Sequence, residues 1–396
     1  MAVSDDRRDY YCSMKFRYLK IDLESKTTYT CHAAKPHAVD FEWLSNNTGQ
    51  LFNTPINIAE RTMMLANQRN NSCEQNCWSA EDVAAVSPRM SQGGPAKTHV
   101  DIVARPEIID LTVGSDCNLT CSYCCKEFSS AWRKDLMDNG KYNIVDSDNR
   151  FELTAKDRVL TKISQAELKS TQHYQTLLNE IKLSVSTLKK LTVTGGEPFL
   201  DNQLMGILSE LSLNHNTVVE IYTGLGVNAT RFEKILHKLK LIKNLDLIIS
   251  AECINELYEF NRYGNTWQEF ENRIQLLEKH GIKYRFHSTI SNLTIFGFAE
   301  FFNYFKHSNH TVTFAYQPVM MSPYVLDPKS KEIITQQLQS LPENIQQPIR
   351  QSMTETPTET QRQNIKTFLK EFVNRRKNLD VNIYPTHFLD WMNYVV

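Results

Sequence analysis

The run Ile108-Ile109-Asp110-Leu111-Thr112-Val113-Gly114-Ser115-Asp116-Cys117-Asn118-Leu119-Thr120-Cys121-Ser122-Tyr123-Cys124 decides how this chain is read. It begins as an apolar, strand-like segment, breaks at a glycine, and carries three cysteines in C-x3-C-x2-C spacing on the loop beyond. Three thiolates on one tight loop can ligate three irons of a [4Fe–4S] cube and leave the fourth iron open. An open position is what chemistry at a metal requires. On this loop alone, a zinc site completed by Cys125 or a histidine is the plainer alternative.

Outward from this run, β-branched segments at 191–193, 218–222, 245–250, 284–290 and 312–316 alternate with amphipathic helical patterns. Phe232, Ile235, Leu236 and Leu239 recur at helical spacing after a candidate Asn228 cap. Thr266-Trp267-Gln268-Glu269 is a capping box ahead of Phe270, Ile274 and Leu277, and Gly281 is placed to end that helix. With 108–113 these make six strands alternating with helices, which predicts an α/β fold of parallel βα units, in an open sheet or a barrel. From 325 to 396 the chain reads as helical, with Ile365, Phe368, Leu369 and Phe372 on one face. Residues 1–100 are rich in Asn, Ser and Cys, poor in helix periodicity, and end in a loop-like, linker-like stretch at 87–95. The expected division is therefore 1–100, 101–324 and 325–396.

Composition narrows the function classes. The 396 residues are 41% hydrophobic and 22% charged, and 44 Lys+Arg against 45 Asp+Glu give a net charge of −1. There is no strong nucleic-acid signal in such a balance, and no apolar run is long enough to span a bilayer. Residues 1–8 lack the apolar core of an export signal, so a soluble cytoplasmic protein is expected. Nine cysteines, an odd number and clustered, argue against a disulfide framework and for metal or iron–sulfur ligation.

A second motif, Leu191-Thr192-Val193-Thr194-Gly195-Gly196-Glu197-Pro198, follows the next strand. Two glycines permit close backbone approach to a ligand, and Glu197 offers an acceptor to an ammonium group. Alone, this is a tight turn; downstream of the cysteine triplet it is far more specific.

Together these residues resemble the radical SAM superfamily over roughly 105–320. Tyr123 matches the aromatic before that family's third cysteine. The resemblance implies a partial (β/α)6 barrel with a [4Fe–4S] cluster on Cys117, Cys121 and Cys124 at the C-terminal mouth of the strands. S-adenosylmethionine (SAM) would chelate the open iron, and the Gly195-Gly196-Glu197 edge would hold its ammonium. One electron would then break the sulfonium C–S bond, and the 5′-deoxyadenosyl radical would take hydrogen from a substrate. A flavodoxin or ferredoxin is the expected electron donor. Ser250 and Glu252 resemble positions that contact the ribose or sulfonium region, and Arg262 one that contacts the carboxylate. Tyr222-Thr223-Gly224 departs from the family's Thr-Asn-Gly. Ser288 and Asn292 either face SAM or cap turns.

Four more cysteines precede the core. Residues flanking Glu24-Ser25-Lys26 alternate as in a hairpin, which would bring Cys12 and Cys31 together, although the turn lacks the usual glycine. Cys73 and Cys77 lie one helical turn apart. Four thiolates so placed suit zinc or an iron–sulfur cluster equally. The pattern resembles the twitch domain, a shortened SPASM domain, which implies an auxiliary iron–sulfur cluster serving electron transfer or structure. That domain usually follows the barrel, whereas here it precedes it. Such relatives often modify peptides, making a peptide or protein side chain the favoured substrate class ahead of a nucleoside or sugar.

Cys125 and Cys253 read as packing thiols, and Arg375-Arg376-Lys377 as a solvated basic face. Two rivals remain: a non-catalytic iron–sulfur electron carrier, against which the Gly-Gly-Glu turn argues, and a glycyl-radical activase, whose ferredoxin-like cysteine runs are missing here.

Overall fold

Alternating apolar residues build the centre of one sheet. The computed structural model describes residues 10–92, 99–145, 147–163, 165–211 and 216–394. Six strands follow in chain order: β4 (Ile108–Thr112), β6 (Lys190–Thr194), β7 (Val218–Thr223), β8 (Leu245–Ser250), β10 (Tyr284–Ile290) and β11 (His310–Phe314). Each pairs in parallel with the next, and the register places Leu111, Val193, Ile221 and Leu247 in one fully buried row. Parallel neighbours require crossover connections, and helices supply them at Asn202–Leu211, Ala229–Leu239, Trp267–Lys279 and Ile295–Tyr304. The last strand begins two residues before its expected start.

The predicted caps and faces are present. Asn228 accepts from the Arg231 N–H, and Phe232, Ile235, Leu236 and Leu239 are buried. Thr266 and Glu269 form the capping box, and Gly281, at φ +67°, ends the helix.

The N-terminal segment joins the same sheet. β1 (Tyr18–Asp22) lies parallel to β4, Tyr18 opposite Ile108 and Asp22 opposite Thr112. β2 (Thr27–Tyr29) runs antiparallel to β1, and β3 (His37–Ala38) to β2, giving a nine-stranded order β11-β10-β8-β7-β6-β4-β1-β2-β3.

Three expectations need correction. The stretch before residue 100 is not helix-poor: Pro55–Leu65 is helical, capped by Thr54. Its inward face is Asn57, Glu60, Arg61 and Met64, so polar residues occupy the i, i+3 and i+4 positions, with an apolar residue only at i+7, and hydrophobic periodicity misses it. The stretch at 87–95 opens with a short helix, Pro88–Gln92, while 93–95 lie outside the described residues. Finally, Arg375 and Arg376 are not solvated. Arg376 is buried, donating to Thr120 Oγ1 and Tyr142 Oη, and Arg375 pairs with Asp135. The helix that leads into them, Glu359–Asn374, buries Ile365, Phe368, Leu369 and Phe372, with Phe368 against Trp132, Tyr142 and Phe151 and Phe372 against Trp132. No described helix is long and apolar enough to cross a membrane.

Candidate active site

The C-terminal ends of β4 and β6 are stitched together by backbone. The Gly196 N–H donates to Gly114 O (2.8 Å) and the Glu197 N–H to Asp116 O (2.7 Å). A Cβ on Gly195 would stand 2.6 Å from Gly114 O, and one on Gly196 2.4 Å from Asp116 O. Gly195 also sits at φ +141°. Only glycine allows this approach.

Beyond the stitch comes the three-cysteine loop. Ser130 Oγ accepts from the Cys117 N–H (3.1 Å), and Trp132 Nε1 donates to Cys121 O (3.0 Å). β5 (Thr120–Cys121) pairs antiparallel with β9 (Arg262–Tyr263), placing Cys121 opposite Arg262. Ser122 Oγ donates to Asn261 Oδ1 at 2.6 Å. Cys121 is buried, while Cys117 and Cys124 are half-buried. Burial pushes all three free thiols up, Cys121 to about 11, with Arg262 pulling that one back. Ligation to a metal deprotonates such thiols outright.

Tyr123, Glu252 and Arg262, proposed separately from sequence, form one closed set. Arg262 donates through Nε (2.9 Å) and Nη2 (2.7 Å) to Glu252, and through Nη2 to Tyr123 Oη (2.6 Å). The Tyr123 hydroxyl donates to Glu252 Oε1 (2.9 Å). Arg262 and Glu252 are 4% and 1% exposed. Burial opposes the charge on Arg262, yet the Glu252 carboxylate holds that group well above its usual range. Ser250 ends β8 two residues before Glu252, half-buried.

Glu197 is engaged inward. Its carboxylate accepts from Thr223 Oγ1 (2.7 Å) and from the N–H groups of Phe199 (3.1 Å), Gly224 (3.0 Å) and Gly226 (3.1 Å). Burial raises its pKa against these donors. Ser288 donates to Ala251 O, and Asn292 to Met320 O, so both tie loops. The buried Cys125 thiol receives Arg150 Nη1 (3.5 Å), and Cys253 donates to Thr294 O (3.3 Å), tight against Gly297. A cavity of ≈700 Å³, lined in part by Asp116, Cys117, Lys134 and Lys162, adjoins the loop.

The N-terminal cysteines share one small core. The β1–β2 hairpin forms without glycine because Lys26 takes φ +59°. Cys12, Cys31, Cys73 and Cys77 are all buried in one cluster with Met14, Tyr18, Met64 and Trp78. Backbone N–H groups serve three sulfurs: Met14 at Cys12, Ala33 at Cys31 (3.5 Å) and Arg89 at Cys77. Ser72 Oγ lies 4.0 Å from the Cys73 sulfur. Burial pushes the Cys12 thiol to about 12, helped by the other three cysteines. Cys73 and Cys77 are not on an α-helical turn: Asn71–Cys73 is 3-10 and Glu74–Trp78 a π turn, in which the Ser79 N–H reaches Glu74 O. Among the described residues, no three His, Cys, Asp or Glu side chains are gathered as for a single metal ion.

Sequence reasoning missed Glu24. It accepts from the Ser115 N–H (2.7 Å) and Oγ (2.6 Å) and pairs with Arg133 (3.0 Å), just ahead of Cys117. As part of a polar turn it gave no signal. Trp132 and Asn261 were missed likewise, and Arg376 was read only as part of a solvated basic face.

No curated protein matches the chain. Among solved structures, native anSMEcpe with bound AdoMet is similar at 16% identity over 53% of this chain and 52% of that one, TM-score 0.36. The chain thus spans about half the length of anSMEcpe. Streptococcus suis SuiB bound to S-adenosylmethionine is similar at 13% identity over 77% and 64%, TM-score 0.33. TYW1 with a lysine-pyruvate adduct follows at 14% over 47% and 56%, TM-score 0.26. The family model that matches is that of the radical SAM superfamily, over residues 111–303, so this part of the chain is a radical SAM domain.

Proposed function

We propose that the chain is a radical SAM enzyme that cleaves SAM at a [4Fe–4S] cluster on Cys117, Cys121 and Cys124 and takes hydrogen from a substrate through a 5′-deoxyadenosyl radical. The observation that carries this reading is the meeting of the three-cysteine loop with the Gly195–Gly196 turn and the Tyr123–Glu252–Arg262 set at one end of a parallel sheet. The donor set fits the cluster: three thiols on one loop, two of them half-exposed, with the Leu119 N–H on the Cys117 sulfur (3.4 Å). When bound, the cluster supplies the electron that breaks the sulfonium C–S bond.

The chain's own residues bind and orient. Four internal donors fill the Glu197 carboxylate, so the carbonyls of Gly195 and Gly196 are left to receive the methionyl ammonium. Arg262, with Nε and Nη2 spent on Glu252 and Tyr123, keeps Nη1 beside Gly224 for the SAM carboxylate. Ser250 and Glu252 flank the end of β8 where the ribose would lie. The sheet is read as a partial (β/α)6 barrel whose mouth holds these groups. A peptide or protein side chain is the favoured substrate class, and an intracellular flavodoxin or ferredoxin the electron donor.

The second cysteine set is read as an auxiliary iron–sulfur site. Its support is four buried cysteines in one side-chain cluster, with backbone donors aimed at three of the sulfurs. Such donors stabilise thiolate far more than thiol. Anaerobic reconstitution tests both sites: adding SAM should shift the electron paramagnetic resonance of the reduced protein. A Cys117→Ala, Cys121→Ala, Cys124→Ala variant should lose that shift while keeping iron and sulfide at the other site. A spectrum unmoved by SAM would defeat the reading.

A further inference from the structure

We infer that the four-cysteine centre is a brace for the active-site loop, acting through the β1–β2 hairpin, with Glu24 as its positioning residue. This rests on the reading of Cys12, Cys31, Cys73 and Cys77 as a metal centre. The hairpin runs the length of the sheet. Cys12 and Cys31 lie at its foot, where Tyr18 enters β1 opposite Ile108 and the four cysteines pack around Tyr18. The other end of the hairpin lies beside the C-terminal end of β4, where the Leu23 N–H donates to Thr112 O. There Glu24 takes both the N–H and the hydroxyl of Ser115, two residues before Cys117, and holds Arg133 on the helix Ser130–Asn139. From residue 27, where the turn ends, to residue 31 the chain covers about 13 Å at about 3.3 Å per extended residue. The centre therefore sits at the opposite end of the sheet from the cysteine loop, and the hairpin links the two by hydrogen bonds, alongside β4, whose Ile108 packs on the four-cysteine cluster.

The foot is built to hold that link rigid. Lys15, 1% exposed, donates to Glu60 Oε2 (2.5 Å) and Ser72 Oγ (2.7 Å), and Thr30 Oγ1 also reaches Glu60 (3.3 Å). These contacts join the first arm, the second arm, the helix Pro55–Leu65 and the segment leading to Cys73. The cysteines would close three of these segments, the two arms and the segment 73–77, through the metal, the helix being held by Glu60. Their small core is separate from the main one and contains little besides them, Tyr18, Trp78 and two methionines, so apolar burial alone holds this end weakly.

Hydrogen–deuterium exchange on the fully reconstituted chain tests the inference, with iron, sulfide and zinc measured on each sample. A Cys73→Ser, Cys77→Ser variant should lose the second centre's metal and exchange at least tenfold faster both in β1–β2 and in residues 113–121. A variant that loses the metal with exchange at 113–121 unchanged overturns the brace. Because that variant also strains the fold at the foot, Glu24→Ala gives an independent arm. It should leave the second centre's metal and the β1 amides as in the parent, yet speed exchange at Ser115 and broaden the resonance of the reduced active-site cluster. Glu24→Gln, which keeps an acceptor for Ser115, should recover most of the parent line shape. An unchanged Ser115 amide and resonance in Glu24→Ala overturns the inference. Absence of any metal in the variant lacking Cys117, Cys121 and Cys124 would instead defeat the reading of a second centre.

Discussion

Arg262 and Glu252 form an almost fully buried ion pair, and its worth depends on both partners being present. Removing one member of such a pair leaves a bare charge in the interior and costs about 3–5 kcal/mol. With an unfolding entropy of about 2.1 cal/mol/K per residue, Arg262→Ala should therefore lower the melting temperature by about 4–6 °C, whereas the double change Arg262→Met, Glu252→Gln should recover much of it. A melting point within two degrees of the parent in Arg262→Ala would refute the buried-pair account. Tyr123 could be singled out in sequence from the cysteine motif, and Glu252 and Arg262 from weaker resemblances downstream. Glu24 and Arg376 could not. Both are charged residues in polar stretches, and only the fold shows that one meets the Ser115 amide and the other Thr120. Glu197 was found, but its partners were not: its carboxylate serves the turn after β7, a contact between distant segments.

At the scale of elements, the strands were the most readable feature, since β-branched runs buried in a parallel sheet need no partner pattern to be recognised. Register was not readable, nor was the addition of β1 alongside β4. The helix Pro55–Leu65 escaped because it buries Asn57, Glu60 and Arg61, each tied to the surrounding chain by hydrogen bonds or a salt bridge, Arg61 through Nη2 alone. The turn after β6 is the element on which the site depends most. Gly195→Ala places a Cβ against the Gly114 carbonyl at an unfavourable φ, and backbone on both sides cannot yield cheaply. That variant should bind less than a tenth of the parent's iron at the three-cysteine loop, read by iron analysis in a Cys73→Ser, Cys77→Ser background. Full loading would show that the stitch between β4 and β6 is dispensable.

For the molecule as a whole, three parts of the chain converge on one loop. The hairpin tip approaches it through Glu24. The core carries it between β4 and the Gly195–Gly196 turn. The last long helix covers it, with Phe372 and Arg376 against Trp132, whose indole holds Cys121 O. Contacts cross both borders of the expected division at 1–100, 101–324 and 325–396: β1 pairs with β4, and Phe372 packs on Trp132. That convergence explains why the outer segments were hard to interpret alone: their inward faces make sense only against the core. It also makes the central claim chemical rather than architectural. The decisive measurement is 5′-deoxyadenosine formed from SAM by the reconstituted, dithionite-reduced chain without oxygen. The account predicts product in step with cluster loading at Cys117, Cys121 and Cys124, and none from the triple alanine variant. No product from chain shown to hold that cluster and to bind SAM would contradict it.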